Sequence, residues 1–314
     1  MSHDESSLSD GMRAFLRTAA GFRSTGDDWA SRRAAFARQC AHFTPAPPRA
    51  LTVTDQALGG VTTRCYRPAG PAPLDGWPVL VFFHGGGWTH GSHATHDWFA
   101  HALLERADLA IVAVDYRLAP EASFPAPLDD GLAVWHALEA AAPALHLNAA
   151  RRAVAGDSAG GTLAAALCVA LHECGEPQPA AQALIYPVLS ARDDFPSIAE
   201  HAGAPMLTAR GLADSIALYL PNPGERRLGC AMPLDGDDLP GLAPALLVVA
   251  MEDVLRDQAL DYAAKLRRAG VAAEVWRAHG LVHAGLRAAR LEESAACYDR
   301  LASFLIEHGV AGRA

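Results

Sequence analysis

The chain is organised around Gly156-Asp157-Ser158-Ala159-Gly160-Gly161, in which a serine stands between glycines. The apolar run Ala153-Val154-Ala155 precedes it, and the alanine-rich run 162–167 follows it. A strand, a glycine-flanked serine and a helix in this order are typical of a nucleophile elbow, because small flanking residues permit a sharp turn that exposes the hydroxyl. The helix also directs its N–H groups and the positive end of its dipole at the serine. Ser158 is therefore the leading candidate nucleophile, and a plain glycine-rich turn is the alternative.

Outward from this stretch, apolar runs alternate with longer helical patterns. The runs predict strands near 79–83, 109–115, 152–156, 181–186, 245–250 and 272–277, after an antiparallel pair at 51–54 and 61–66. The helical patterns lie near 96–106, 127–140, 159–174, 257–269 and 291–308. This alternation predicts an α/β fold with a mostly parallel central sheet and helices on both faces. Ligands bind beyond the carboxyl ends of such strands, and Ser158 follows one of those ends.

Two segments depart from the alternation. Residues 5–45 carry two helical patterns, and residues 190–244 are rich in proline and glycine, with one helical pattern and no clear strand. An insertion of that length between strands is more often functional than idle. We expect both segments to form a helical cap over the site, with a peripheral loop as the alternative for 190–244. The expected organisation is an N-terminal part of the cap at 1–48, a core at 49–189 and 245–314, and a cap insertion at 190–244.

Composition narrows the class of protein. The chain has 314 residues, a formal net charge of -9 and six cysteines without C-x-x-C spacing. The negative charge argues against a nucleic-acid partner, which requires Lys and Arg to neutralise phosphates, so small neutral or polar substrates fit better. Scattered cysteines favour reduced thiols over a disulfide framework or a zinc site. The polar, acidic start differs from a secretory signal, and no apolar run reaches the roughly 18 residues of a membrane span, so we expect a cytoplasmic protein without a membrane partner.

A second glycine-rich element follows the strand predicted at 79–83, in the sequence His84-Gly85-Gly86-Gly87-Trp88. Consecutive glycines leave backbone N–H groups unobstructed, as an oxyanion hole requires, although a flexible turn would have the same composition. Trp88 follows the glycines directly, so we expect it to line the substrate pocket. Histidines crowd this loop, but only Asp97 joins them at ligand spacing, and we predict no metal site. These histidines are His84, His90, His93, His96 and His101.

An acid and then a histidine are expected after a serine nucleophile of this type. Three carboxylates, Glu252, Asp253 and Asp257, follow the strand predicted at 245–250, and the pattern alone leaves the choice among them open. Asp257 also suits the start of the next helix, where a carboxylate interacts favourably with the helix dipole.

Two histidines, His279 and His283, compete for the role of base. The strand predicted at 272–277 would end just before His279 and leave that residue at the strand exit. His283 would then lie in a loop that can fold back over the carboxyl edge of the sheet. Loop placement therefore favours His283.

The chain resembles the hormone-sensitive-lipase-like branch of the α/β-hydrolases, which are largely bacterial carboxylesterases. The matching motifs run from about residue 79 to 287. They are His84-Gly85-Gly86-Gly87-Trp88, Val114-Asp115-Tyr116-Arg117-Leu118-Ala119-Pro120-Glu121 with Phe124-Pro125-Ala126, Gly156-Asp157-Ser158-Ala159-Gly160-Gly161, Leu184-Ile185-Tyr186-Pro187, Asp253-Val254-Leu255-Arg256-Asp257 and Gly280-Leu281-Val282-His283. The resemblance implies an α/β-hydrolase fold with a helical cap, a Ser/Asp/His triad and no cofactor.

Within the resemblance, Asp253 matches the family's acid and His283 matches its base. The chain departs from the family at Val254, where proline is common, and at Ala284-Gly285, where many relatives have Gly-Phe. The expected site comprises the catalytic residues Ser158, Asp253 and His283, the oxyanion-hole residues Gly86, Gly87 and Ala159, and Trp88 in the substrate pocket.

The predicted activity is that of a serine carboxylesterase, a carboxylic ester hydrolase that cleaves small-molecule esters with short to medium acyl chains through an acyl-enzyme. A deacetylase, an amidase or a lactonase would use the same triad. A non-catalytic receptor for a small ligand is the rival from another class, and the presence of His283 argues against it. A homodimer is left open.

Overall fold

Strands and helices alternate along most of residues 6–314, the part of the chain that the computed structural model describes. The strands are β1 (Leu51–Leu58), β2 (Val61–Pro68), β3 (Trp77–Phe83), β4 (Ala107–Asp108), β5 (Ala110–Val114), β6 (Leu147–Asp157), β7 (Gln182–Ile185), β8 (Ala245–Glu252), β9 (Ala273–Val282) and β10 (Gly312–Arg313). The helices are α1 (Asp10–Ala19), α2 (Trp29–Phe43), α3 (Asp97–Leu104), α4 (Ala126–Leu145), α5 (Ala159–Glu173), α6 (Pro196–Glu200), α7 (Ala209–Tyr219), α8 (Arg256–Arg268) and α9 (Glu292–Glu307). Two short 3₁₀ helices are Pro223–Arg227 and Gly285–Arg287.

The central sheet has the strand order β1-β2-β5-β3-β6-β7-β8-β9. β1 pairs with β2 and β2 with β5 in antiparallel orientation, and every later neighbour in the sheet is parallel. The carboxyl ends of β6, β8 and β9 therefore meet at one edge of the sheet, which is where a ligand site is expected. The predicted mostly parallel α/β sheet with its antiparallel entry pair is confirmed.

Both faces of the sheet are covered. Along β3, Val79, Val81 and Phe83 belong to one buried apolar cluster and Leu80 and Phe82 to the other, because successive side chains of a strand point to opposite faces. Helices α4, α5 and α8 contribute buried residues to the first cluster, and α1, α3 and α9 to the second. Apolar burial on both faces explains why these strands read as continuous hydrophobic runs.

The predicted end of the last strand is wrong. β9 continues to Val282, five residues beyond Arg277, because a register shift between Ala250 and Glu252 lets the strand resume its pairing with Glu252 opposite Val282. His279 thus lies inside β9, exposed at the surface, and is not a strand-exit residue. The two-residue strands β4 and β10, which pair with each other, are too short to produce a sequence pattern and were not predicted.

The segment 190–244 contains α6, α7 and a 3₁₀ helix, and none of its residues is in a strand. Helix α7 coincides with the helical pattern read from the sequence, and its Thr208 side chain caps it by accepting from Gly211 N–H at 3.0 Å. The division into core and cap at the stated boundaries stays a prediction. Within residues 6–314, the helices are too short or too polar to cross a membrane.

Candidate active site

Ser158 occupies the tight turn between β6 and α5. Its backbone has φ 55° and ψ −120°, a conformation that non-glycine residues rarely adopt. The turn is held by a hydrogen bond from Ser158 N–H to the Ile185 carbonyl at 2.8 Å. A Cβ at Gly156 would overlap the Gly160 carbonyl, and a Cβ at Gly160 would overlap the Phe83 carbonyl. The two glycines around the serine are therefore required because the backbone passes too close for any side chain.

Ser158 begins a chain of hydrogen bonds that links three buried side chains. Its Oγ lies 2.9 Å from Nε2 of His283, and Nδ1 of His283 lies 2.7 Å from Oδ2 of Asp253. Since a carboxylate can only accept, Nδ1 carries the proton, and Nε2 presents its lone pair to the serine hydroxyl. Asp253 is 1% exposed, and its other carboxylate oxygen accepts from Leu255 N–H at 3.0 Å. This is the arrangement in which an imidazole can take the serine proton.

The sheet brings these residues together although they are distant in sequence. Ser158 follows β6, Asp253 follows β8 and His283 follows β9, so all three stand at the carboxyl edge. The β8–β9 register places Glu252 opposite Val282, which sets the next residues of the two strands, Asp253 and His283, side by side. The acid and the base are thus positioned by strand pairing.

The competing carboxylate Asp257 has a different role. It lies in the first turn of α8, as predicted, and its Oδ2 accepts from Ser197 N–H of α6 at 2.8 Å. Burial works to raise its pKa, but Arg256 and the hydrogen bonds from Ser197 together lower the pKa below the ordinary value. Asp257 therefore anchors α6 to α8 as a carboxylate and makes no contact with His283.

The glycine loop lies beside the serine. Gly86 and Gly87 have φ of +125° and +60°, and both line the cavity that contains Ser158. Within the described part of the chain, their N–H groups have no hydrogen-bond acceptor. Ala159 is the first residue of α5, so no preceding turn of helix provides an acceptor for its N–H. Gly86 and Gly87 thus line the cavity with unengaged N–H groups, and Ala159 adds the N–H at the start of α5.

A buried pair that the sequence did not single out supports this loop. Asp157 accepts from Gly85 N–H at 2.7 Å, and its Oδ1 lies 3.3 Å from Nε2 of His96. Burial acts to raise the pKa of Asp157, but His96, Arg287 and the Gly85 N–H outweigh it and lower the pKa. The only signal in the sequence was the position of Asp157 next to the serine, because its partner His96 becomes recognisable only in three dimensions.

The cavity at Ser158 has a volume of about 690 Å³. Its wall combines the triad and the glycine loop with residues of α2, of 203–215 and of the loop after β9. The lining residues outside the triad include Phe36, Gln39, His90, Met206, Leu212, Ser215 and Arg287. A larger cavity, about 800 Å³ and bordered by Arg192, Lys265 and Arg268, includes none of the triad residues.

Trp88 borders the cavity, but its side chain is fully buried. Its ring stacks on Tyr219 of α7, with ring centroids 4.3 Å apart and planes inclined by 4°. The tryptophan thus joins the glycine loop to α7, and any contact with a substrate would come from the edge of a residue that mainly serves packing.

The chain is similar to known proteins over the range that contains Ser158, Asp253 and His283. The α/β-hydrolase fold family matches residues 80–287 of the chain. The carboxylesterase NlhH of Mycobacterium tuberculosis is 37% identical over 235 residues, 74% of this chain and 73% of that protein. The ethyl acetate hydrolase of Pseudomonas putida is 36% identical over 246 residues, 78% of this chain and 77% of that protein.

Solved structures show the same likeness. The hyperthermophilic esterase from the archaeon Pyrobaculum calidifontis superposes with a TM-score of 0.87 at 31% identity, over 97% of this chain and 99% of that one. The similarity thus extends over nearly the whole chain, including the segments before residue 80 and after residue 287.

Proposed function

The chain belongs to the α/β-hydrolase fold family, in its hormone-sensitive-lipase-like group, and we propose that it is a serine carboxylesterase for short- to medium-chain acyl esters. One observation carries the proposal: the continuous hydrogen-bonded chain from Ser158 through His283 to Asp253 at the wall of a cavity. That chain has the polarity needed to activate a serine hydroxyl.

In the acylation step, Ser158 Oγ attacks the ester carbonyl carbon while His283 Nε2 takes the hydroxyl proton. Asp253 stabilises the resulting imidazolium and keeps Nδ1 protonated. The carbonyl oxygen becomes negative and is stabilised by the N–H groups of Gly86, Gly87 and Ala159. When the tetrahedral intermediate collapses, the bond to the alcohol oxygen breaks and His283 returns the proton to that oxygen.

In the deacylation step, water replaces the alcohol. His283 takes a proton from the water, whose oxygen attacks the acyl carbon, and the same N–H groups receive the second oxyanion. Collapse of this intermediate releases the carboxylic acid and returns the proton to Ser158 Oγ. The cycle consumes one ester and one water and requires no cofactor.

The size of the cavity supports the proposal that the substrates carry small acyl groups. A volume of about 690 Å³ is within the range of small-molecule sites, and the cavity is walled by α2 and the 203–215 segment. Large apolar side chains are exposed only at Val53, Leu74 and Leu228 among the described residues, and these belong to different elements. Such a surface offers no broad apolar face for a lipid interface.

The rival interpretation, a receptor that only holds a ligand, is disfavoured by the intact contact between Ser158 and His283. Nothing in the site specifically favours an amide or a lactone over an ester. A cytoplasmic location and a homodimer stay predictions.

The proposal is tested with p-nitrophenyl esters of increasing acyl length and with an emulsified long-chain triglyceride. We expect the highest kcat/KM with acyl chains of about two to eight carbons and no activation at the oil interface, since residues 6–314 form no apolar surface helix suited to lipid. Purified Ser158→Ala is the control for contaminating esterases. Preferential hydrolysis of the emulsion, or no hydrolysis of any ester by the folded protein, would refute the proposal.

A further inference from the structure

Arg287 brings a positive charge into the cavity that contains the triad. It ends the 3₁₀ helix Gly285–Arg287, four residues after His283, and lines the cavity together with Ser158 and His283. The residue is 4% exposed. A guanidinium group stays positively charged in proteins, so this side chain is a buried cation at the cavity that contains Ser158.

The partners of Arg287 are neutral. Its Nη1 donates to Oε1 of Gln39 at 2.5 Å, and the guanidinium carbon lies 4.7 Å from the centre of the Phe36 ring. Its Nε is buried and has no hydrogen-bond partner in the described part of the chain. Within residues 6–314, no carboxylate lies within 4.0 Å of the Arg287 guanidinium. The charge is therefore incompletely compensated by the protein.

Another arginine, Arg33 of α2, has its positive charge fully compensated by the protein. Arg33 of α2 makes a two-pronged ion pair with Glu121 at 2.9 and 2.6 Å. It also donates to the carbonyls of Thr89 and Ala119 at 2.9 and 3.1 Å. Both arginines connect α2 to the core, but of the two only Arg287 lines the cavity and retains a donor without a partner in the described chain.

The acidic residue of the cavity does not supply the missing partner. Asp157 responds electrostatically to Arg287, but its carboxylate is engaged with Gly85 N–H and His96. Burying a cation without a counterion is costly, and a guanidinium forms its strongest contacts with a carboxylate that it grips through two parallel N–H donors. An anionic group on the ligand would complete this site.

We propose that Arg287 binds a carboxylate of the substrate, so that the preferred substrates of this chain are esters that also carry a free carboxylate. This inference rests on the proposed esterase function. The carboxylate belongs either to the acyl part, as in a monoester of a dicarboxylic acid, or to the alcohol part, as in an acylated hydroxy acid. In both cases Arg287 acts as a specificity-determining residue that orients the ester and takes no part in the bond-breaking steps.

Two pairs of esters test the proposal, each with an anionic member and a neutral partner of similar shape. Monomethyl adipate against methyl hexanoate examines the acyl part, and para-acetoxybenzoate against phenyl acetate examines the alcohol part, with acid release followed by pH-stat. We expect the anionic-to-neutral ratio of kcat/KM to exceed unity in at least one pair. Arg287→Met should lower that ratio by about 10- to 100-fold, mainly through KM, because a hydrogen-bonded charge contact is lost. Arg287→Lys should recover part of it.

Arg33→Met is the control, because it removes a connection between α2 and the core, here a partly exposed one, without removing a charge from the cavity. Its ratio should equal that of the wild type. If Arg287→Met and Arg33→Met both leave the ratio unchanged, Arg287 is only a structural brace and the inference is wrong.

Inhibition of the wild type provides a measurement that does not depend on the folding of a variant. With phenyl acetate as substrate, benzoate should inhibit competitively and more strongly than neutral benzamide. Equal inhibition by the two compounds would overturn the inference, whereas absence of turnover with every ester, anionic and neutral alike, would instead overturn the proposed function.

Discussion

At the scale of single residues, hydrogen bonds distinguish two histidines that stand four positions apart. His283 is buried between Ser158 and Asp253, whereas His279 lies on the exposed side of β9. Only His283 can therefore exchange a proton with the serine. Loop position pointed to His283 from the sequence, although the strand end used in that argument was misplaced.

The histidine pair gives a sharp prediction. His283→Ala should lower kcat/KM for a p-nitrophenyl ester on the order of 10³-fold or more, and the double variant with Ser158→Ala should be scarcely worse, because triad members act as a unit. His279→Ala, the matched control, should retain most activity. Steady-state kinetics with melting curves checks this, and an inactive His279→Ala beside an active, folded His283→Ala would reverse the assignment.

A second prediction concerns Asp253 and Asp257, the two aspartates on either side of the β8–α8 junction. Asp253→Asn should lower kcat by about 10⁴-fold with little change in folding, because an amide can hold the imidazole in the wrong tautomer. Asp257→Asn should instead lower the free energy of unfolding by about 1–3 kcal/mol, because the anchor to Ser197 loses its charge. Urea denaturation alongside kinetics separates the two effects, and the opposite pattern would make Asp257 the triad acid.

The sequence predicted these residues unequally. Ser158 and the glycine loop were evident because their chemistry depends on local backbone shape, which consecutive residues determine. Asp253 could be chosen only through a family resemblance, because spacing alone did not separate it from Glu252 and Asp257. Arg287 escaped notice because its lack of an ion pair among the described residues is a property of packing that no local sequence pattern encodes.

At the scale of elements, the β6–α5 turn depends on a close approach of three backbone segments. Gly160 lies against the end of β3, where a Cβ would overlap the Phe83 carbonyl. The alternation of apolar runs with helical patterns predicted these elements from the sequence, because buried parallel strands consist of long apolar runs. It did not predict the full length of β9, because a register shift depends on the partner strand and not on the residues of β9 themselves.

We predict that Gly160→Ala lowers the free energy of unfolding by about 1–3 kcal/mol or more, because the added methyl group forces apart α5 and β3. Activity should fall with it, since Ser158 would move relative to His283. Gly312→Ala is the control, because a Cβ there would be 3.4 Å from Asp108 Cβ, an ordinary contact. Thermal and urea unfolding test the pair, and a Gly160→Ala protein as stable as Gly312→Ala would contradict the close approach.

At the scale of the whole molecule, the stability of the fold depends on keeping His84 neutral. The ring is 1% exposed and stacks on Tyr116, and its Nε2 has no hydrogen-bond partner in the described chain. Burial, reinforced by the neighbouring His96, lowers the pKa of His84 from 6.5 to about 3. Between these two values the unfolded chain binds a proton at this histidine and the folded chain does not, so the free energy of unfolding falls as the pH falls.

Replacing His84 should change how the free energy of unfolding depends on pH. Below pH 6.5 the free energy of unfolding of His84→Phe should fall less steeply than that of the wild type, by up to about 1.4 kcal/mol per pH unit. Phenylalanine preserves a planar ring against Tyr116 and removes the titrating group. Urea denaturation between pH 7 and pH 5 measures how steeply the free energy of unfolding changes with pH in the two proteins. An equal or steeper slope for the variant would contradict the lowered pKa of His84 in the folded chain.

Covalent labelling tests whether Ser158 is the activated nucleophile of an esterase. Diethyl p-nitrophenyl phosphate transfers a phosphoryl group to a serine activated by a neighbouring base. Incubation should release one p-nitrophenolate per chain and abolish ester hydrolysis, and mass spectrometry of the peptides should find the diethylphosphoryl group on Ser158. A label at another residue, or full esterase activity in a protein labelled at Ser158, would show that Ser158 is not the nucleophile.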